Sequence, residues 1–215
     1  MKAPLLHTVH KQKLWLSPLR SIFWEEQKAL IVSDLHFGKT GHFRKWGIAV
    51  PQSVYKEDLQ RLVSLLHYFG PEQLIVVGDF FHSQANQELD WFRKWRHDFE
   101  DLKILLVRGN HDILKADWYR EANIDVIDSH LQLGSFVFSH HPMEVAAGLY
   151  NFFGHIHPGV VINGLGKQSL RFPCFYFPQQ YCILPAFSKF TGAVGLNKNE
   201  AQSIFAIVEN ALIKV

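Results

Sequence analysis

The sequence predicts an α/β fold whose second half turns to strands, and three observations carry that expectation. Short, continuously apolar runs at 29–33, 74–77 and 104–107 alternate with helical patterns through the first half, as parallel strands buried on both faces require. From Asp125 onward, strand patterns separated by turn dipeptides such as Asn163-Gly164 and Glu209-Asn210 replace the helices, which implies a second sheet packed on the first. Several of the apolar runs also end in a carboxylate, an amide or an imidazole, in the place beyond carboxyl strand ends where sites form in such folds.

Taken in order, residues 14–24 alternate and pause at Ser17-Pro18, giving a strand, a turn and a second strand over 21–24. A polar turn at 25–28 precedes the strand 29–33, which delivers Asp34 and His36. Residues 37–47 interleave cations with aromatics at no regular period, so they form a loop beside those ligands, its rings turned either to a substrate or inward. Pro51 opens a helix where its missing N–H costs nothing. Val54, Leu59, Leu62, Val63 and Leu66 then recur at helical spacing until Phe69-Gly70-Pro71 stops it.

The next strand delivers Asp79, and residues 88–102 read as a helix with Trp91, Phe92, Trp95 and Phe99 toward the core. Its basic face, Arg93, Lys94, Arg96 and His97, reads as solvated surface. The strand 104–107 delivers Arg108-Gly109-Asn110-His111-Asp112, and 116–122 is a short helix. Strands follow at 126–127, 131–133 and 136–139, the last delivering His140, and Phe152-Phe153-Gly154 delivers His155 and His157. The remaining strands are 170–177, 181–184, 203–208 and 211–215.

A chain of 215 residues suits one domain over 1–215, since it is long enough to bury a full core. Its 22 Lys plus Arg against 20 Asp plus Glu give a net charge of +2, which excludes a polycation gripping nucleic acid by bulk charge. Cys174 and Cys182 are too few for a disulfide framework and read as buried free thiols. No signal-peptide core and no membrane-length apolar run is present, so a cytoplasmic protein without membrane partners is expected. The oligomeric state is left open.

Asp34, His36, Asp79, Asn110, His140, His155 and His157 offer oxygen and imidazole donors without thiolate. Such donors suit borderline divalent ions, and seven exceed what one ion needs. Two ions sharing a carboxylate would use them all, and a pair about 3.5–4 Å apart is suited to hydrolysing phosphate esters. His82 and His97 read as structural histidines.

The run Asp34-x-His36, Gly78-Asp79, Gly109-Asn110-His111-Asp112, His140 and Gly154-His155-x-His157 resembles the calcineurin-like metallophosphoesterases, motif by motif and in order. That resemblance implies a four-layer α/β/β/α sandwich of two mixed sheets flanked by helices. It implies that Asp34, His36, Asp79 and His157 hold one metal, that Asp79, Asn110, His140 and His155 hold the second, and that Asp79 bridges. His111 then contacts the phosphate and protonates the leaving oxygen, oriented by Asp112, which also reads as a helix cap. Where the family usually has Gly after the ligand aligned to His140, this chain has His141-Pro142. The family register favours His140 as ligand and leaves His141 for substrate.

A narrower resemblance rests on Asp34-Leu35-His36-Phe37-Gly38-Lys39, Phe43-Arg44-Lys45, His140-His141-Pro142, Leu170-Arg171-Phe172-Pro173-Cys174-Phe175 and Leu184-Pro185-Ala186-Phe187. These look like the ligase-associated metallophosphoesterases of bacterial DNA-damage-response operons. That branch implies a manganese-dependent endonuclease with phosphodiesterase activity, associated with a DNA ligase, a helicase and an exonuclease. Iron or zinc also matches the donor set. Single-stranded DNA is the expected substrate, with Lys39, Arg44, Arg108 and His141 as its contacts. The rivals are a phosphomonoesterase, or a nucleotide or protein phosphate hydrolase, on the same site, and a scaffold that binds proteins.

Overall fold

Seven strands stand side by side in chain order and make the first sheet. They are β1 (Leu5–Val9), β2 (Gln12–Ser17), β3 (Ser21–Trp24), β4 (Ala29–Val32), β5 (Gln73–Val77), β6 (Lys103–Val107) and β7 (Ile124–Ile127). The computed structural model describes residues 2–39, 53–82, 87–164, 166, 168–189 and 191–215. Strands β1 to β4 pair antiparallel through short turns, whereas β4 to β7 are parallel. A parallel connection must cross over the sheet, and within the described residues the helices α1 (Ser53–Phe69), α2 (Gln87–Asp98) and α3 (Ala116–Glu121) lie in those connections.

The second sheet holds β8 (His130–Leu133), β9 (Phe136–Ser139), β10 (Tyr150–Phe153), β11 (Pro158–Asn163), β12 (Ser169–Phe177), β13 (Tyr181–Ile183), β14 (Val194–Gly195), β15 (Ser203–Val208) and β16 (Ala211–Lys214). Its order is β14-β11-β12-β13-β10-β9-β8, with β15 and β16 branching from β12. Strand β10 runs parallel to β9 and to β13.

The period-two alternation of side chains along each strand sorts the core into layers. Leu30, Val32, Leu74, Val76, Ile104 and Leu106 face α1, α2 and α3. Their neighbours Ile31, Ile75, Val77, Leu105 and Val107 face the second sheet. There they meet Phe136, Phe138, Phe152, Phe175 and Phe205, and Trp24 reaches across to Phe136 with ring centroids 4.7 Å apart. Each such fully buried side chain contributes about 1.5–3 kcal/mol. The outer face of the second sheet carries its own cluster, including Phe153, Val160, Cys174, Tyr176 and Ile183, and no α-helix belongs to it among the described residues. Both cysteines are buried and free.

Four elements depart from the sequence reading. Strands β1, β11 and β14 were not expected. Strand β11 begins at Pro158, and proline is tolerated as the first residue of a strand. Helix α2 stops at Asp98 rather than running to 102. The cause is Arg96, which is buried at 5% exposure instead of lying on a solvated basic face. Its guanidinium donates to the carbonyls of Phe99, Glu100, Leu102 and Ala122, so it gathers the helix end and the start of β7 into one knot. Arg96→Ala strands several buried acceptors and is expected to cost about 3 kcal/mol in urea unfolding. A loss within experimental error of zero would refute that role.

Candidate metal centre and active site

Every ligand predicted from the sequence falls just past the carboxyl end of a parallel strand: Asp34 and His36 after β4, Asp79 after β5 and Asn110 after β6 on the first sheet, with His140 after β9 and His155 and His157 after β10 on the second. Backbone bonds tie the ends together. The Asp34 N–H donates to Gly78 O at 3.1 Å, the His36 N–H to Asp79 O at 2.9 Å, and the Phe187 N–H to Ser33 O at 2.7 Å. Five of the seven, Asp34, His36, Asp79, His155 and His157, have positive φ between 50° and 62°. A non-glycine residue held there costs on the order of 1–3 kcal/mol, and such residues collect at functional sites. Gly78 is fixed by a close approach, since a Cβ on it would run into the His140 ring.

The side chains converge. His140 Nε2 lies 3.0 Å from Asn110 Oδ1, 3.2 Å from His155 Nδ1 and 3.5 Å from Asp79 Oδ2. The same Asp79 oxygen is 3.9 Å from His36 Nε2, while His157 Nε2 is 3.3 Å from Asp34 Oδ1. Asp79 therefore stands between two histidine-lined lobes, as a bridging carboxylate would. Three overlapping groups, Asp34/His36/His157, Asp34/Asp79/His140 and His140/His141/His155, each bring their donor atoms within 4.8 Å of one another.

This donor set fits a pair of divalent cations. Asp34 and Asp79 are buried at 0% and 2% exposure, a costly place for two carboxylates without a cation. The buried Nε2 of His36 has no hydrogen-bond partner. Burial, and then the nearby Lys39 ammonium, drives the His36 pKa down to about 2, and burial also lowers His140 and His155. Neutral imidazole is the state that ligates.

In the metal-free protein these shifts set the sign of a pH dependence. Histidines with native pKa below the unfolded value of about 6.5 bind more protons unfolded than folded. Their contribution is complete above that value and is lost as pH falls toward the native one. Burial raises Asp112 to about 7, so it acts oppositely between roughly pH 4 and 7 and offsets His36 there, and the lowered His140 and His155 give the balance its sign. Stability in chelator is therefore expected to drop from about pH 7 to about pH 5, and an unchanged urea midpoint would contradict it.

The remaining candidates divide. His111 donates its N–H to Asp79 Oδ1 at 2.9 Å, and its ring centroid lies 5.4 Å from that of His36. Lys39 is half-buried within electrostatic reach of Asp79 and Asp34, whose charges partly offset the burial that lowers its pKa. His141 is exposed, its ring 4.3 Å from His155. Arg44 lies outside the described residues.

Two expectations are corrected. Asp112 does not hold the His111 ring; its carboxylate accepts from Phe81 N–H at 3.0 Å and Gly109 N–H at 2.9 Å, locking the two loops that carry Asp79 and Asn110 together. Arg108 turns to Asp128 at 2.8 Å and to the Asp112 carbonyl at 3.1 Å, not to the cluster.

One residue read as structural belongs to the site. The His82 ring lies tilted against that of His111, centroids 4.2 Å apart, and places Nδ1 3.3 Å from His36 Nδ1. Its N–H donates to Phe37 O at 2.8 Å. The available signal was its place three residues beyond Asp79, in the same strand-end loop.

Two packed mixed sheets presenting such a donor cluster define a metallophosphoesterase. The calcineurin-like phosphoesterase model matches residues 28–178, and the chain belongs to that family; it is a metal-dependent phosphoesterase. The chain is similar to the crystal structure of Pseudomonas putida nuclease MPE, at 31% identity and a TM-score of 0.85, with 99% of this chain and 100% of that one covered. It also matches Yfce, a phosphoesterase from E. coli, at 13% identity and TM-score 0.45, over 87% of this chain and 97% of that one. No curated protein matches.

Proposed function

We propose that this chain is a manganese-dependent phosphodiesterase that cuts single-stranded DNA internally, acting as one domain in the cytoplasm. The observation that carries the metal reading is the Asp79 carboxylate oxygen placed between His36 Nε2 and His140 Nε2. The nucleic-acid part is supported by likeness to the P. putida nuclease over nearly the whole of both chains. Asp34, His36, Asp79 and His157 would hold one cation, and Asp79, Asn110, His140 and His155 the other. When bound, such a pair would activate water and neutralise the oxygens of a phosphodiester in line for displacement.

The protein's own groups do the rest. His111, tied through its N–H to Asp79, carries the proton that the leaving oxygen takes up, as general acids do. His82 packs on the His111 ring and fixes its orientation. Asp112 acts one step away, by locking the loops. Lys39 and His141 contact the phosphate oxygens. A role beside a DNA ligase, a helicase and an exonuclease follows from the narrower resemblance.

The test is a closed single-stranded DNA circle incubated with the protein and manganese, with His111→Ala protein as the control for contaminating nuclease. Linear and then shorter products from the wild type alone would support an endonuclease. An intact circle alongside hydrolysed small phosphoesters would move the substrate to a smaller ester or a monoester.

A further inference from the structure

A pocket of about 380 Å³ opens beside the cluster, with His157 in its wall and Arg20, Arg171, Thr191 and Ala193 around it. No Asp or Glu lines it among the described residues. Arg171 stands on β12, opposite Val161 of β11, and is exposed. Its side chain lies across Gly159, where an added Cβ would meet Arg171 Cγ and Cδ at 3.0 Å. The guanidinium then donates to Ala193 O at 3.0 Å. Any larger residue at Gly159 would push the arginine out of this track.

The wall it reaches is fixed to the metal cluster. Val194 donates its N–H to His157 O at 2.8 Å, and β14 pairs with β11 from Pro158 onward. On the far side, Arg20 braces the segment by donating to Ala186 O and Ser188 O. Arg171 thus presents a held cation, one hydrogen bond spent on a carbonyl and no carboxylate paired with it among the described residues. An arginine fork suits phosphate geometry better than a lysine point charge does.

We propose that this pocket seats the phosphodiester flanking the scissile one, with Arg171 as its principal contact, so that a polynucleotide is gripped at two phosphates rather than one. The inference rests on the nucleic-acid reading above. It gives the site a means of preferring a chain to a small ester: the second phosphate exists only in the chain.

The test uses manganese-loaded protein, a single-stranded oligonucleotide and bis(p-nitrophenyl) phosphate, with kcat/KM measured across a range of potassium chloride concentrations. Arg171→Ala should lose roughly tenfold more on the oligonucleotide than on the small diester, similarly for all sequences. Its slope of log kcat/KM against log salt should flatten by about 0.7, one single-strand phosphate contact. Arg171→Lys should recover most of the slope, because it keeps the charge, and this guards against a folding defect. Equal losses on both substrates, or an unchanged slope, overturn the subsite while leaving the nuclease reading intact. Wild-type protein that hydrolyses the small diester but leaves the oligonucleotide whole overturns the nuclease reading and the subsite together.

Discussion

Asp79→Ala is expected to purify with neither metal retained and to lose activity by at least about a thousandfold, since metal assistance to a phosphoester displacement supplies several kcal/mol. The reason lies in the position of one oxygen, 3.5 Å from His140 Nε2 and 3.9 Å from His36 Nε2. On the proposed assignment, removing it would take a ligand from both cations at once, and it unties the His111 N–H, which is bonded to the other oxygen of the same carboxylate. Metal analysis after gel filtration in manganese, alongside turnover, checks the result. Retention of two equivalents would mean that Asp79 does not bridge.

His111→Ala is expected to separate the two properties. Its side chain is not among the converging donors, so both cations should stay, whereas DNA cleavage should fall by about 10²–10⁴, the usual contribution of a general acid. The loss should shrink on bis(p-nitrophenyl) phosphate, whose leaving group departs as a stable anion and needs no proton. A similar loss on both substrates would give His111 a role in binding phosphate rather than in protonation.

The seven candidate ligands were legible because buried parallel strands are so uniformly apolar that a polar residue at their ends stands out. Hydrophobic periodicity also located nearly all the strands and the three helices. What it left unseen was decided by tertiary contacts. His82 enters the site because its loop is bonded to Phe37, a pairing that joins segments distant in sequence. Arg96 and Arg108 have long side chains whose direction no local pattern encodes, and each went to carbonyls or an aspartate that folding brought near. Asp112 was recognised as important, but its carboxylate serves the backbone of two loops instead of an imidazole.

The donors come from both sheets, four from the strand ends of the first and three from those of the second. Cations bound there would therefore clasp the open end of the sandwich. A ligand that binds only the folded state stabilises it by mass action, by about 2.7 kcal/mol at a hundred times its dissociation constant. Metal supply would then govern survival as well as rate: a cell short of the cation would hold chains that open more often at this end and are degraded sooner. Scarcity would lower both the number of molecules and the turnover of each.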